Sequence, residues 1–370
     1  MFVNKINNIQ INDYTGDVTD RGYDFSLLNA VSTCPFYGIL RHIHGKVFTN
    51  VNRNMALECG DLCHRCYAAY RAFSVYQRGM KEDKETLKLI GLNYLKTLIN
   101  PNDIQKVLND AYSNYTKVAQ YTVISNYIID HSEYYDDPED KKRTIANIKD
   151  SLLNYLSNFL DIIQTEPVWV EDENNINSKI GIEIPYNLYV DITYELVTNE
   201  TVSNKTKRIH FIGKLDGIHI RQDGTLIVHE NKTASRLDDS WSDQWFKSHQ
   251  ITGYCLAASY FTNSNCLQAR VLGMQIPLPK YSGIGFRTER VDRNIDYFED
   301  WSRWVLHTTQ VIDDYKNNPE LSPMNTHACC KYYKACTFMP LCCENKDRRK
   351  EIIDNEMVED KWSPLDEWWY

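Results

Sequence analysis

Gly213-Lys214-Leu215-Asp216-Gly217-Ile218 runs toward a Gln222-Asp223-Gly224 turn, and His229-Glu230-Asn231-Lys232 follows on the far side of it. Residues 208–220 and 225–232 repeat with a period of two, and Asp-Gly between two such runs predicts a β-hairpin. Side chains alternate along a strand, so Glu230 and Lys232 project from one face, and the hairpin sets Asp216 beside them. Two carboxylates and an ammonium then converge. Paired carboxylates suit a hard divalent cation, Mg²⁺ or Mn²⁺, which activates water and neutralises a scissile phosphate. The lysine would orient that water or stabilise the pentacovalent transition state. Taken alone, the same pattern also describes an exposed cross-strand salt bridge.

Outward from the hairpin, residues 168–170, 181–184 and 188–197 read as strands before it. A helix over 239–260, opened by an Asp-Asp-Ser capping region, a strand over 270–276 and a helix over 292–315 follow it. Upstream the period is helical: 24–42, 54–79, 81–98, a segment from Pro101 to 129 and one from Pro138 to 163. Residues 79–163 therefore read as a helical insertion. There is no internal repeat, and neither a GxxxxGK[ST] loop nor a GxGxxG fingerprint, so ATP-driven translocation and dinucleotide redox chemistry lose their usual support.

The 370 residues allow two domains, or one with large insertions. Hydrophobic residues at 42% and charged residues at 25% exclude a disordered, collagenous or coiled-coil chain. No run of about 18 apolar residues is present, so no membrane span is expected. The opening MFVNKINNIQINDY lacks a signal-peptide layout, which predicts a reducing, cytoplasmic compartment, where 11 cysteines read as thiols or metal ligands. A net charge of -9 argues against a basic surface coating duplex DNA, but not against a local channel. The 25 tyrosines and 8 tryptophans supply flat surface for base stacking or for a core.

Gly60-x-x-x-His64 precedes the hairpin and Gln250-x-x-x-Tyr254 follows it on a helix. In that order Gly60/His64, Asp216, Glu230-x-Lys232 and Gln250/Tyr254 resemble the RecB-like branch of the PD-(D/E)xK nuclease superfamily. Leu215, where the superfamily name has proline, is a departure, but Gly213 with Asp216 matches the GxxD form of the branch. The resemblance implies an α/β fold, a mixed sheet with an αβββαβ restriction-endonuclease-like core entered from an N-terminal helical region; the helical insertion, read from its period, carries no resemblance. The chain then divides into N-terminal helices (1–78), the insertion (79–163), the nuclease core (164–317) and a cysteine-rich tail (318–370). The resemblance further implies His64, Asp216, Glu230 and the Asn231 carbonyl as metal ligands, Lys232 as the catalytic lysine, and Gln250 and Tyr254 as residues lining the site against the DNA backbone. Glu183, in Ile182-Glu183-Ile184-Pro185, matches an acidic position on the preceding strand.

Cys34 lies in a Cys-Pro-Phe-Tyr motif, and Cys330-x5-Cys336-x5-Cys342 lies almost three hundred residues later. One distant and three clustered cysteines resemble the iron–sulfur nucleases of this branch, which implies a [4Fe–4S] cluster tying the first helix to the tail. Zinc suits four thiolates equally, and Cys329 and Cys343 leave the ligand register open by one residue at each end. Cys59, Cys63 and Cys66, around His64, read as core-facing thiols. The expected activity is Mg²⁺- or Mn²⁺-dependent DNA hydrolysis, as an exonuclease on single strands or ends, in recombination, repair or phage DNA processing, either trimming ends alone or serving as the nuclease partner of a helicase or recombination protein. A non-cleaving DNA- or partner-binding protein and a CRISPR-adaptation-type processing nuclease are the alternatives.

Overall fold

The structure, a computed structural model, describes residues 2–16, 21–48, 54–198, 201–276, 285–329 and 335–361. In chain order its elements are β1 (Phe2–Asp13), α1 (Phe25–Thr33), α2 (Pro35–Gly38) continued by a π turn (Ile39–Ile43), β2 (Lys46–Phe48), α3 (Met55–Glu82), α4 (Glu85–Leu98), α5 (Ile104–Tyr112), α6 (Lys117–Asp130), α7 (Ile145–Thr165), β3 (Ile182–Val197), β4 (Val202–Ile220), β5 (Leu226–Ala234), α8 (Asp239–Phe246), α9 (His249–Thr262), β6 (Gln268–Gln275), β7 (Phe286–Asp292), α10 (Ile295–Tyr315), α11 (Met339–Cys342), α12 (Lys346–Asn355) and β8 (Met357–Glu359). Six strands form one mixed sheet in the order β1-β3-β4-β5-β6-β7, and β2 pairs with β8. β5 and β6 are parallel; β1 with β3, β4 with β5, and β6 with β7 are antiparallel. The chain is thus α/β. Among the described residues no helix is long and apolar enough to cross a membrane.

Contacts gather the chain into two compact units, each built from separated stretches: Met1–Arg53, Pro185–Lys214 and Ile295–Tyr370 in one, Asn54–Ile184 and Leu215–Asn294 in the other. In the second unit β5 is buried without a break from Leu226 to Asn231, as a central strand with a parallel neighbour requires. Gly224, at φ +82°, makes the turn into it, and Arg221 N–H donates to Thr225 O at 2.9 Å. Parallel strands need a crossover, supplied here by α8 and α9. α3 is capped by Asn54, whose side chain accepts from Leu57 N–H. It packs against β5, and its Tyr67 ring stacks on Tyr155 of α7. α4 returns along α3 at close range: a Cβ on Gly91 would lie 2.5 Å from Tyr76 N.

In the first unit Trp301 of α10 is fully buried, with its ring edge-on to Phe211. A separate core of Phe36, Leu40, Phe338, Leu341, Ile352 and Ile353 holds the C-terminal helices against α2.

Several expected elements divide. The helix over 24–42 breaks at Cys34, which is extended (φ -153°, ψ 101°) because the residue before a proline is barred from helical geometry. The segment from Pro101 splits into α5 and α6, and that from Pro138 begins only at Ile145, where Thr144 accepts from Asn147 N–H. The helix over 239–260 is interrupted before Ser248, which caps α9. Residues 168–170 make only isolated bridges. The chain does not enter through helices: β1 comes first.

Candidate functional site

Four elements of the second unit converge. His64 comes from α3, Glu183 from the start of β3, Asp216 from β4, and Glu230, Asn231 and Lys232 from β5. His64 Nδ1 lies 3.6 Å from Glu183 Oε1 and 3.5 Å from Asp216 Oδ1. One ligand atom from each of these three residues falls within 4.8 Å of the others. Asp216 Oδ2 accepts the Asn231 backbone N–H at 2.7 Å, which fixes the carboxylate. Lys232 Nζ is paired with Glu230 Oε1, while Glu230 Oε2 is buried and accepts no hydrogen bond. Glu183 sits at φ +45°, a left-handed conformation that costs a side chain on the order of 1–2 kcal/mol and is concentrated at functional positions.

The charges are strongly coupled. Burial opposes a proton on His64, but Asp216 and Glu183 outweigh it and hold the imidazole up at about 9. Burial also works to raise Asp216, yet His64, Lys232 and Arg71 keep it below the usual carboxylate range. Burial and the neighbouring Asp216 push Glu230 up to about 7, with Lys232 pulling the other way. Lys232 is raised: burial disfavours its charge, and Glu230 and Asp216 overcome that. An imidazole and two carboxylates within reach of one another, with a buried, unsatisfied Glu230 oxygen in the same cluster of charges, fit a divalent cation, whose charge would replace the protons held on His64 and Glu230.

A buried network behind the site had no signal in the motifs. Arg71 Nε donates to His219 Nε2 at 3.1 Å. The Asn231 side chain satisfies its neighbours with its oxygen accepting from Arg71 (2.6 and 3.1 Å) and its nitrogen donating to Tyr155 Oη at 2.9 Å. His219 stacks on His229 at 3.7 Å, and His229 pairs at 2.6 Å with Glu166, which Arg270 grips through two hydrogen bonds. Two histidines inside the apolar runs of β4 and β5 were the available hint, since buried polar groups need partners.

Gln250 donates to Tyr254 Oη at 2.9 Å on α9, which packs on β5; this pair stands outside the ligand trio. Glu230, implied as a ligand, also lies outside it, and Glu183 stands within it. Cys59, Cys63 and Cys66 are buried in the core.

In the first unit Cys34, Cys329, Cys336 and Cys342 line one cavity of about 160 Å³ with Phe36 and Phe338. Cys330 lies outside the described residues, and Cys343 is exposed. Asn325 N–H points at Cys34 Sγ at 3.5 Å, and Cys336 N–H donates to Cys329 O at 2.6 Å. Burial and the three neighbouring thiols push Cys342 up to about 11. Burial raises Cys336 as well. Four thiols lining one cavity fit a group that brings positive charge.

No family model matches the sequence, and no curated protein matches it. Among solved structures, the chain is similar to one described as the crystal structure of SSO0001, at 15% identity, with 65% of this chain and 93% of the other covered and a TM-score of 0.26. A likeness at that score carries no argument.

Proposed function

We propose that this protein is a divalent-cation-dependent deoxyribonuclease of the RecB-like kind, acting on single strands or ends. The observation that carries the reading is the convergence of His64, Glu183 and Asp216 beside the Glu230–Lys232 pair, with one Glu230 oxygen buried and unsatisfied. The order α3, then β3-β4-β5, then α9 and parallel β6 supports a restriction-endonuclease-like αβββαβ core. A bound Mg²⁺ or Mn²⁺ would neutralise the scissile phosphate and acidify a water. The chain's own residues do the positioning. Asn231 fixes Asp216, Glu230 aims the Lys232 ammonium, and that ammonium would meet negative charge developing on the phosphate.

The cavity lined by Cys34, Cys329, Cys336 and Cys342 supports a metal group held by four thiolates, a [4Fe–4S] cluster as in the iron–sulfur nucleases that the chain resembles, or a single zinc ion.

End-labelled single-stranded, duplex and circular DNA, incubated with Mg²⁺ or Mn²⁺, tests the reading. Wild-type protein should shorten the linear substrates. Asp216→Ala, Glu230→Ala and Lys232→Ala should each lose roughly a thousandfold in rate while circular dichroism stays unchanged. Wild-type-like cleavage by any folded member of this set, or none by wild type, refutes it.

A further inference from the structure

Beside His64 a cavity of about 440 Å³ opens within the second unit. Leu57, Gly60 and His64 line it at i, i+3 and i+7, so one face of α3 makes a strip leading to the proposed metal site. Leu57 is 70% exposed, and a Cβ on Gly60 would meet only Thr233 Oγ1, at 3.6 Å. The strip is therefore apolar, shallow and open. Two charged side chains besides His64 line the cavity: Asp61, on α3, and Arg143, a cation from the loop between α6 and α7, in the part of the chain that no motif covers.

Arg143 is held from one side. Its Nη1 donates to Asp140 Oδ2 at 2.6 Å, its backbone N–H donates to Asp140 Oδ1 at 3.1 Å, and its carbonyl accepts from Tyr134 Oη at 2.5 Å. Among the described residues no acceptor meets Nε or Nη2. A planar guanidinium that lines the cavity and is anchored at one nitrogen keeps further donors for the oxygens of a phosphate. The cavity is of a size for one nucleotide rather than a base-paired helix, and an exposed apolar ledge suits an unstacked base.

We infer that this cavity is a subsite for single-stranded DNA, in which Arg143 binds the backbone phosphate next to the one being cut and the Leu57–Gly60 strip takes the adjoining sugar and base. The inference rests on the nuclease reading, narrows its substrate to the single strand and names the residue that selects it.

Binding of a labelled oligodeoxythymidine of about 12 residues to the full chain, with Ca²⁺ replacing Mg²⁺ to prevent cutting, tests it. Arg143→Gln should raise Kd about tenfold and flatten the slope of log Kd against log salt by about 0.7, the share of one phosphate contact on a single strand. Arg143→Lys should restore the slope but not the full affinity. Gly60→Leu, which fills the strip without touching a charge, should raise Kd and leave the slope alone. In turnover the Arg143→Gln loss should fall on KM rather than kcat. Wild-type protein that cuts DNA while Arg143→Gln keeps its Kd, slope and KM overturns the subsite alone. Duplex bound as tightly as the single strand overturns the single-strand form. Wild-type protein that neither binds nor cuts overturns the nuclease reading and the subsite with it.

Discussion

Protonation at single residues decides how tightly the centre can take a cation. His64, held at about 9, carries a proton at neutral pH, and Glu230, at about 7, carries one half the time. Both must be released before the imidazole nitrogen and the carboxylate can become ligands, so binding expels protons and strengthens as pH rises. Between pH 7 and 9 the His64 proton alone makes the apparent Mn²⁺ dissociation constant fall by up to about tenfold per pH unit. Calorimetry in buffers of different ionisation enthalpy should register between one and two protons released at pH 7. In His64→Gln the pH slope above 7 should fall by the share of one proton, leaving that of Glu230; a slope unchanged by that substitution removes His64 from the ligand set. The chemistry of Asp216, Glu230 and Lys232 was legible in the sequence because all three lie on one local hairpin. Arg71 was not, because an arginine deep in a long helix gives no sign of the buried amide and histidine that it meets.

Helices and strands carry these residues to one place, and glycines set how closely the elements approach. Gly60 and Gly91 look alike as helical glycines, but their surroundings differ. At Gly60 a methyl group meets an ordinary contact, so Gly60→Ala should raise stability by about 0.5–1 kcal/mol through the unfolded chain. A methyl group at Gly91 lands 2.5 Å from Tyr76 N and 2.8 Å from Ala72 O, backbone atoms that cannot swing aside. Gly91→Ala should therefore part α4 from α3 and cost about 1–3 kcal/mol, read as a lower thermal midpoint. Equal midpoints for the two variants would refute this account of the α3–α4 contact. Regularity also explains what could be read in advance. β4 and β5 pair without a register shift across an Asp-Gly turn, and that turn gave the hairpin. β1 stayed hidden because register shifts between Val3 and Lys5 and between Ile6 and Asn8 scramble its alternation. β7, with Arg287, Glu289, Arg290 and Asp292 in seven residues, is a sheet edge whose charges mask its period.

At the scale of the whole molecule, the cysteine cavity joins parts of the chain about three hundred residues apart. Cys34 follows the first helix, and Cys329, Cys336 and Cys342 belong to the last stretch of the same unit. The core that otherwise holds that last stretch is small, about seven buried side chains including Met357. A group bonded to all four sulfurs would close the longest loop available to the unit, worth roughly 5 kcal/mol in the chain-entropy picture. In protein purified without air, iron and sulfide near four per chain are expected. Cys329→Ser and Cys336→Ser should lose the iron and lower the thermal midpoint by on the order of 5 °C. Cys343→Ser should keep both, since that thiol is exposed and does not line the cavity. One zinc and no iron in wild-type protein would replace the cluster by a single ion. Retention of iron by Cys329→Ser would move the ligand to Cys330. The carboxylates of the proposed metal site lie in the other unit, so Cys336→Ser should still bind Mn²⁺ with wild-type affinity at a temperature below its midpoint. Loss of Mn²⁺ binding in that variant while its secondary structure is intact would show that the sulfur site shapes the carboxylate site, and not merely the stretch of chain that carries it.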